Sequence, residues 1–210
     1  MTTQDLIVRR PAKPNQLLLL FHGVGSSARD LAPLGEALAP HLPDAAIISV
    51  QAPEGSGRGW QWFSVQGVTE ADRPARVAAA MPAFVQAVAR SQVACDVQPA
   101  GTTLIGFSQG AIMALESTQR DHPPAARVIA LSGRFAQPPH IAHASVRTHL
   151  MHGDADAVMP VRVAADALAQ LQGLGAVATL DRFAGLGHGI DGRVVDAIVR
   201  RLNDPLPASV

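Results

Sequence analysis

The sequence predicts an α/β fold in which helices cover both faces of a mostly parallel sheet. Short apolar runs rich in Leu, Ile and Val alternate along the chain with longer segments of helical character. The runs are continuously apolar, which is typical of parallel strands that are buried on both faces. The 210-residue chain shows no break in composition, so we expect a single domain over residues 1–210.

The apolar runs predict the strands, and the segments between them predict the helices. The segment 53–72, PEGSGRGWQWFSVQGVTEAD, is interpreted as a long loop because it is rich in glycine and polar residues. Strands are expected at 6–10 (an edge strand), 16–22, 45–52, 102–107, 127–133, 147–153 and 176–183. Helices are expected near 29–42, 73–94, 111–120, 161–171 and 190–202.

Composition and charge exclude several classes of partner. The chain has 17 basic and 17 acidic side chains, so nucleic acid is not an expected partner. A single cysteine, Cys95, offers neither an intramolecular disulfide nor a cysteine zinc site. The longest strongly apolar run, LLLLF at 17–21, is too short to span a membrane, and MTTQDLIVRR lacks the order of a secretory signal. We therefore expect a cytoplasmic protein without a membrane span.

The pentapeptide GFSQG, residues 106–110, stands between a predicted buried strand and a predicted helix. A sharp strand-to-helix turn exposes its central residue and crowds the residues two positions to either side. Gly106 and Gly110 lack the Cβ atoms that would clash there. The arrangement predicts that Ser108 is a nucleophile.

A serine nucleophile needs a base, and the base needs an acid to orient it. His188, in the GLGHG loop after the last predicted strand, is the best candidate base. Asp156 lies further beyond its strand end than Asp154, so we predict Asp156 as the acid and Asp154 as a brace for the turn. The other histidines apart from 22 and 152 are expected to be surface or packing residues, at 41, 122, 140, 143 and 149.

Backbone donors for an oxyanion are predicted in two places. Gln109 begins the helix after Ser108, and its backbone N–H is one candidate. The glycine-rich HGVGSS loop offers the backbone N–H of Val24 as the second. His22 and His152 end strands at the same edge of the sheet, where we expect them to shape the site without transferring protons.

Four motifs, FHGVG, GFSQG, HGDADAVMP and GLGHG, resemble in order and spacing the phospholipase, carboxylesterase and acyl-protein thioesterase family of α/β hydrolases. The resemblance covers nearly the whole chain. It implies a cap-less α/β-hydrolase fold, a triad of Ser108, Asp156 and His188, and an oxyanion hole formed by the Val24 and Gln109 amides. It also implies hydrolysis of carboxylic esters, thioesters or lysophospholipids through an acyl-serine, with no metal or cofactor. Many members carry an acid where this chain has Ser26.

Substrate selection is expected to depend on loops. The link at 134–146 is too short to form a helical lid, so the site should be open to a small ester or acyl-group substrate. Trp60, Trp62 and Phe63 lie in the long loop at 53–72 and are candidate substrate-binding residues. The alternative is that these aromatic side chains anchor the loop to the core.

Two rival interpretations stay open at the level of sequence. His152, Asp154 and Asp156 alternate, so on an extended strand they would face one way like the ligands of a metal-dependent hydrolase. A binding protein that has a hydrolase fold without activity is the other rival. The organised set of serine, acid and histidine favours the serine hydrolase over both. Nothing in the sequence indicates an oligomeric state.

Overall fold

A computed structural model describes residues 4–204 and shows one seven-stranded sheet with a separate two-stranded hairpin. The strand order is β1-β3-β2-β6-β7-β8-β9; β1 is antiparallel to its neighbour, and every other pair is parallel. The strands are β1 (Leu6–Arg9), β2 (Gln16–Phe21), β3 (Ala45–Val50), β4 (Glu54–Ser56), β5 (Gly59–Gln61), β6 (Thr102–Phe107), β7 (Arg127–Leu131), β8 (Arg147–Gly153) and β9 (Val177–Phe183).

Helices cover both faces of this sheet, which confirms the predicted architecture. One hydrophobic core lies between the sheet and α2, α3 and α4, and the other lies between the sheet and α1 and α5. Alternate residues of each central strand enter opposite cores, as Leu17 and Leu18 do. The helices are α1 (Ala28–Leu38), α2 (Arg73–Cys95), α3 (Gln109–Ser117), α4 (Arg162–Gly173) and α5 (Gly192–Leu202).

The structure differs from the sequence prediction in the segment 53–72. Strands β4 and β5 form a short antiparallel hairpin inside the predicted loop. Its second strand pairs with the loop after β2 through an isolated bridge between Ser26 and Trp60. The second strand of the hairpin therefore pairs with a loop that is distant in the sequence. A local sequence pattern cannot indicate such a contact. The link at 134–146 contains no helix or strand.

The register of the sheet sets the position of the functional edge. Phe21 pairs with Gly106, and Phe107 pairs with Leu131, so the ends of β2, β6 and β7 lie level. Leu131 in turn pairs with Met151 of β8. In parallel sheets the crevice beyond the carboxyl ends of the strands is where ligands bind.

Across residues 4–204, none of the helices has both the length and the apolar character that crossing a membrane requires.

Candidate active site

Ser108 occupies a strained turn at the junction of β6 and α3. Its backbone has φ 53° and ψ −114°, a conformation that L-residues rarely adopt and that is held at functional sites. The Ser108 amide donates to the carbonyl of Leu131 at 2.9 Å, which ties the turn to the neighbouring strand. A Cβ on Gly106 would lie 2.4 Å from the Gly110 carbonyl oxygen, and one on Gly110 would lie 2.1 Å from that of Phe21. The turn therefore requires glycine at both positions.

His188 lies between Ser108 and Asp156, within hydrogen-bond distance of both. Its Nε2 atom is 3.0 Å from the Ser108 Oγ, and its Nδ1 atom is 2.8 Å from an Asp156 carboxylate oxygen. The Phe107 ring packs beside the imidazole, with 5.0 Å between ring centroids. The structure thus brings together the three side chains that the sequence predicts as nucleophile, base and acid.

Asp156 is fixed in orientation by backbone donors. Its side chain is fully buried, and one carboxylate oxygen accepts from the amides of Val158 at 2.9 Å and Met159 at 2.8 Å. Burial alone raises the pKa of Asp156, but hydrogen bonds from the Met159 amide, His188 and the Val158 amide outweigh it and lower the pKa. The carboxylate is therefore ionised at neutral pH, and its second oxygen is left to face His188.

The structure does not gather the three residues of the rival metal site. His152 lies 2.7 Å from the Met159 carbonyl through Nε2 and 3.4 Å from Asp156. Asp154 is exposed and accepts from the Gly185 amide at 2.6 Å, which links the turn after β8 to the turn after β9. Within residues 4–204, no three His, Cys, Asp or Glu side chains form a cluster that could hold a metal.

The two predicted oxyanion donors belong to the residue after Ser108 and to the HGVGSS loop. The HGVGSS loop approaches the serine so closely that a Cβ on Gly23 would lie 3.2 Å from the Ser108 Cβ. Gly25, at φ 75°, donates its own amide to the Trp60 carbonyl at 2.8 Å. The backbone hydrogen bonds found outside the helices and strands of residues 4–204 include none donated by Val24 or Gln109, which is consistent with the predicted role of both amides.

His22 is fully buried and hydrogen-bonds to the backbone of the HGVGSS loop. The Ala52 amide donates to its Nε2 at 3.1 Å, so Nδ1 carries the proton and donates to the Gly23 carbonyl at 2.7 Å. Burial lowers the pKa of His22, so the ring is neutral at pH 7. The side chain orients the backbone next to Val24 and does not contact Ser108 through a hydrogen bond.

The structure separates the three predicted substrate-binding aromatic residues. Trp62 and Phe63 are 2% and 3% exposed, and the Trp62 ring packs against Phe21 and Phe84. Their burial favours the alternative that they anchor the loop to the core. Trp60 is half-buried and lines a surface cavity of about 580 Å³. Neither Ser108 nor His188 lines that cavity, so a contact between Trp60 and substrate stays a prediction.

One contact of the site was missed by sequence reasoning, which assigned Gln109 a role through its backbone only. The Gln109 side chain accepts from the Trp62 amide at 2.7 Å and donates to the Phe63 carbonyl at 2.7 Å. Both partners are backbone atoms more than 40 residues away in sequence. A bond to a distant backbone leaves no trace in residue types, so no sequence pattern could have revealed it.

The chain is similar to known esterases in sequence and in fold. The phospholipase/carboxylesterase family model matches residues 3–204. The esterase YpfH of Escherichia coli (strain K12) is 44% identical over 210 residues, which cover 99% of this chain and 90% of that protein. The solved structure of esterase PE8 is 31% identical, with a TM-score of 0.86 over 97% of this chain and 98% of that one.

A carboxylesterase from Mesorhizobium loti shares the fold at 21% identity, with a TM-score of 0.74 over 90% of this chain and 89% of that one. These similarities confirm the predicted α/β-hydrolase fold and the prediction of an enzyme of the carboxylesterase class. The chain belongs to the phospholipase/carboxylesterase family.

Proposed function

We propose that this protein hydrolyses carboxylic esters through an acyl-enzyme intermediate on Ser108. The observation that carries the proposal is the continuous hydrogen-bonded line from the Ser108 hydroxyl through His188 to the buried Asp156 carboxylate. A serine hydroxyl is a weak nucleophile at neutral pH, and an imidazole at this distance is the base that activates it. The strained turn at Ser108 supports the same role because it presents the hydroxyl at the sheet edge.

The first half of the reaction forms the acyl-enzyme. His188 Nε2 takes the hydroxyl proton as the Ser108 oxygen bonds to the ester carbonyl carbon, and the carbonyl oxygen becomes an oxyanion. The amides of Val24 and Gln109 donate to this oxyanion, and Asp156 stabilises the protonated imidazole. The tetrahedral intermediate then collapses, the carbon–alkoxy bond breaks, and His188 gives its proton to the departing alcohol.

The second half regenerates the enzyme. His188 takes a proton from a water molecule, whose oxygen attacks the acyl carbon and forms a second oxyanion at the same two amides. The bond to Ser108 breaks, the serine recovers its proton from His188, and the carboxylic acid leaves. The same steps cleave a thioester or the acyl ester of a lysophospholipid, and we propose these as alternative substrates of the site.

The proposal is tested with p-nitrophenyl esters of increasing acyl length and with an acyl thioester, each assayed with and without a chelator. We expect hydrolysis that the chelator leaves unchanged and that Ser108→Ala abolishes. Activity that the chelator removes would instead support the metal-dependent hydrolase. If the folded wild-type protein binds the esters without cleaving them, the non-catalytic binding protein is the better interpretation. The profile against chain length identifies the preferred acyl group.

A further inference from the structure

The backbone of residues 60–63 contacts both parts of the proposed oxyanion hole. At one end, the Trp60 amide donates to the Ser26 carbonyl at 2.8 Å, and the Trp60 carbonyl accepts from Gly25 at 2.8 Å. These hydrogen bonds connect the segment to the HGVGSS loop immediately after Val24. The approach is tight, because a Cβ on Gly59 would lie 2.1 Å from the Gly25 carbonyl oxygen.

At the other end, the same segment forms two hydrogen bonds with the Gln109 side chain. The Gln109 Oε1 accepts from the Trp62 amide, and the Gln109 Nε2 donates to the Phe63 carbonyl, both at 2.7 Å. Gln109 is 2% exposed, so water cannot replace either bond. Loss of the side-chain amide would leave a buried N–H and a buried C=O unpaired, which is costly in a protein interior.

A third bond closes this arrangement. The Trp62 indole Nε1–H donates to the His22 carbonyl at 3.0 Å, directly before the glycine that precedes Val24. The 60–63 segment is thus bonded on both sides of Val24 and, through a side chain, to the residue whose amide is the second donor. The segment therefore links the loop that carries Val24 to the side chain of Gln109.

We infer that Gln109 is a positioning residue: its side chain holds the 60–63 segment, which is bonded to the loop of Val24, and so sets the separation and direction of the two oxyanion donors. This inference rests on the proposed function. Donors act on a transition state only when they are aimed at the place where the charge develops, so a small displacement weakens them. Every substitution of Gln109 other than proline retains the backbone N–H, which separates the role of the side chain from that of the amide.

The matched pair of variants is Gln109→Met and Gln92→Met. The Gln92 side chain also donates to a backbone carbonyl, that of Pro124 at 2.8 Å, but near the start of β6 and therefore at the opposite end of the strand from Ser108. Both variants lose buried or partly buried hydrogen bonds of a side-chain amide. They differ in the distance of that amide from the site. Only Gln109→Met should disturb the oxyanion donors.

For Gln109→Met we expect kcat to fall about tenfold to a hundredfold, below the loss seen when a whole donor is removed, with KM changed less than about threefold. Affinity for an alkyl boronic acid, whose serine adduct places an oxygen in the oxyanion hole, should fall by a similar factor. The pH profile of kcat should keep its wild-type shape, because the contact between His188 and Asp156 is intact. Gln92→Met should retain wild-type kcat and boronic acid affinity.

Two further variants keep the test decisive if Gln109→Met does not fold. Gln109→Glu keeps the acceptor for the Trp62 amide and loses the donor to Phe63. Trp62→Phe removes the indole N–H that bonds to His22 and also makes the ring smaller. Each should lower kcat and boronic acid affinity together, by less than Gln109→Met. The inference is overturned if folded Gln109 variants retain wild-type kcat, or if kcat falls while boronic acid affinity does not.

Failure of the proposed function gives a different result. In that case the wild-type protein itself cleaves no ester and binds no boronic acid at Ser108. If the wild type does both and the Gln109 variants behave like Gln92→Met, only the positioning role is rejected.

Discussion

The Nε2 atom of His188 lies 3.0 Å from the Oγ atom of Ser108, although the two residues are 80 positions apart in the chain. The parallel sheet explains this proximity, because β6 and β9 end at the same edge. Ser108 follows β6 directly, and His188 lies in the loop after β9. The imidazole is 18% exposed, so substrate and water can reach it while Asp156 stays buried behind it. Access and orientation are thus provided by different residues.

Asp156→Asn should lower kcat by about 10⁴-fold while the protein stays folded. The amide cannot stabilise the imidazolium and can hold His188 in the wrong tautomer. Asp154→Asn is the matched control, because Asp154 lies two residues away and accepts from the Gly185 amide instead of contacting His188. Steady-state kinetics on one ester, with thermal melts for both variants, provide the comparison. Equal losses in the two variants would contradict the assignment of Asp156.

The tryptophans of the 53–72 segment should respond differently to truncation. Trp62→Ala should reduce the free energy of unfolding by about 3 to 5 kcal/mol, because it empties a packed site next to Phe21 and Phe84. Trp60→Ala should have a smaller effect on stability and should raise KM for longer acyl groups. Urea titrations and KM values across the ester series test both. A Trp60→Ala protein with unchanged KM for every ester would remove Trp60 from the substrate site.

The fold was largely predictable because the strands are continuously apolar. Apolar runs such as 17–21 and 102–107 are typical of strands buried on both faces of a covered parallel sheet, and the structure places them in one. The hairpin of β4 and β5 was not predictable, since its residues show no β pattern. It forms where Trp60 pairs with Ser26, and such pairing depends on the rest of the fold.

The same contrast applies to the candidate site. The order of Ser108, Asp156 and His188 and their positions after strand ends predict the three side chains that the structure brings into contact. Side-chain burial within an irregular loop has no periodicity, so the difference between Trp60 and Trp62 could not be predicted. The backbone contacts of the Gln109 side chain were hidden for the related reason that any residue can supply a backbone partner.

The free energy of unfolding should fall as the pH is lowered from 6.5 to 4, because of His149. This residue is buried in β8, where burial and the nearby Arg127 and Arg201 lower its pKa from 6.5 to about 4. In that window the unfolded chain binds a proton at His149 and the folded protein does not, so lowering the pH favours unfolding. The difference in pKa corresponds to about 3 kcal/mol, fully lost near pH 4.

Urea unfolding at several pH values tests this prediction with two variants. His149→Gln should flatten the dependence of the unfolding free energy on pH between 6.5 and 4. His122→Gln, which changes an exposed histidine, should leave the wild-type dependence in place. A wild-type slope that survives in His149→Gln would show that other groups cause it.

The most direct test of the central claim is an intact-mass measurement after reaction with a fluorophosphonate, followed by peptide mapping of the adduct. The account predicts one adduct per chain, located on Ser108, with loss of ester hydrolysis in proportion to labelling. Gln92→Met, which lies far from the site, should label like the wild type, and Ser108→Ala should not label. Labelling that persists in folded Ser108→Ala, or full hydrolysis by a fully labelled protein, would contradict Ser108 as the nucleophile.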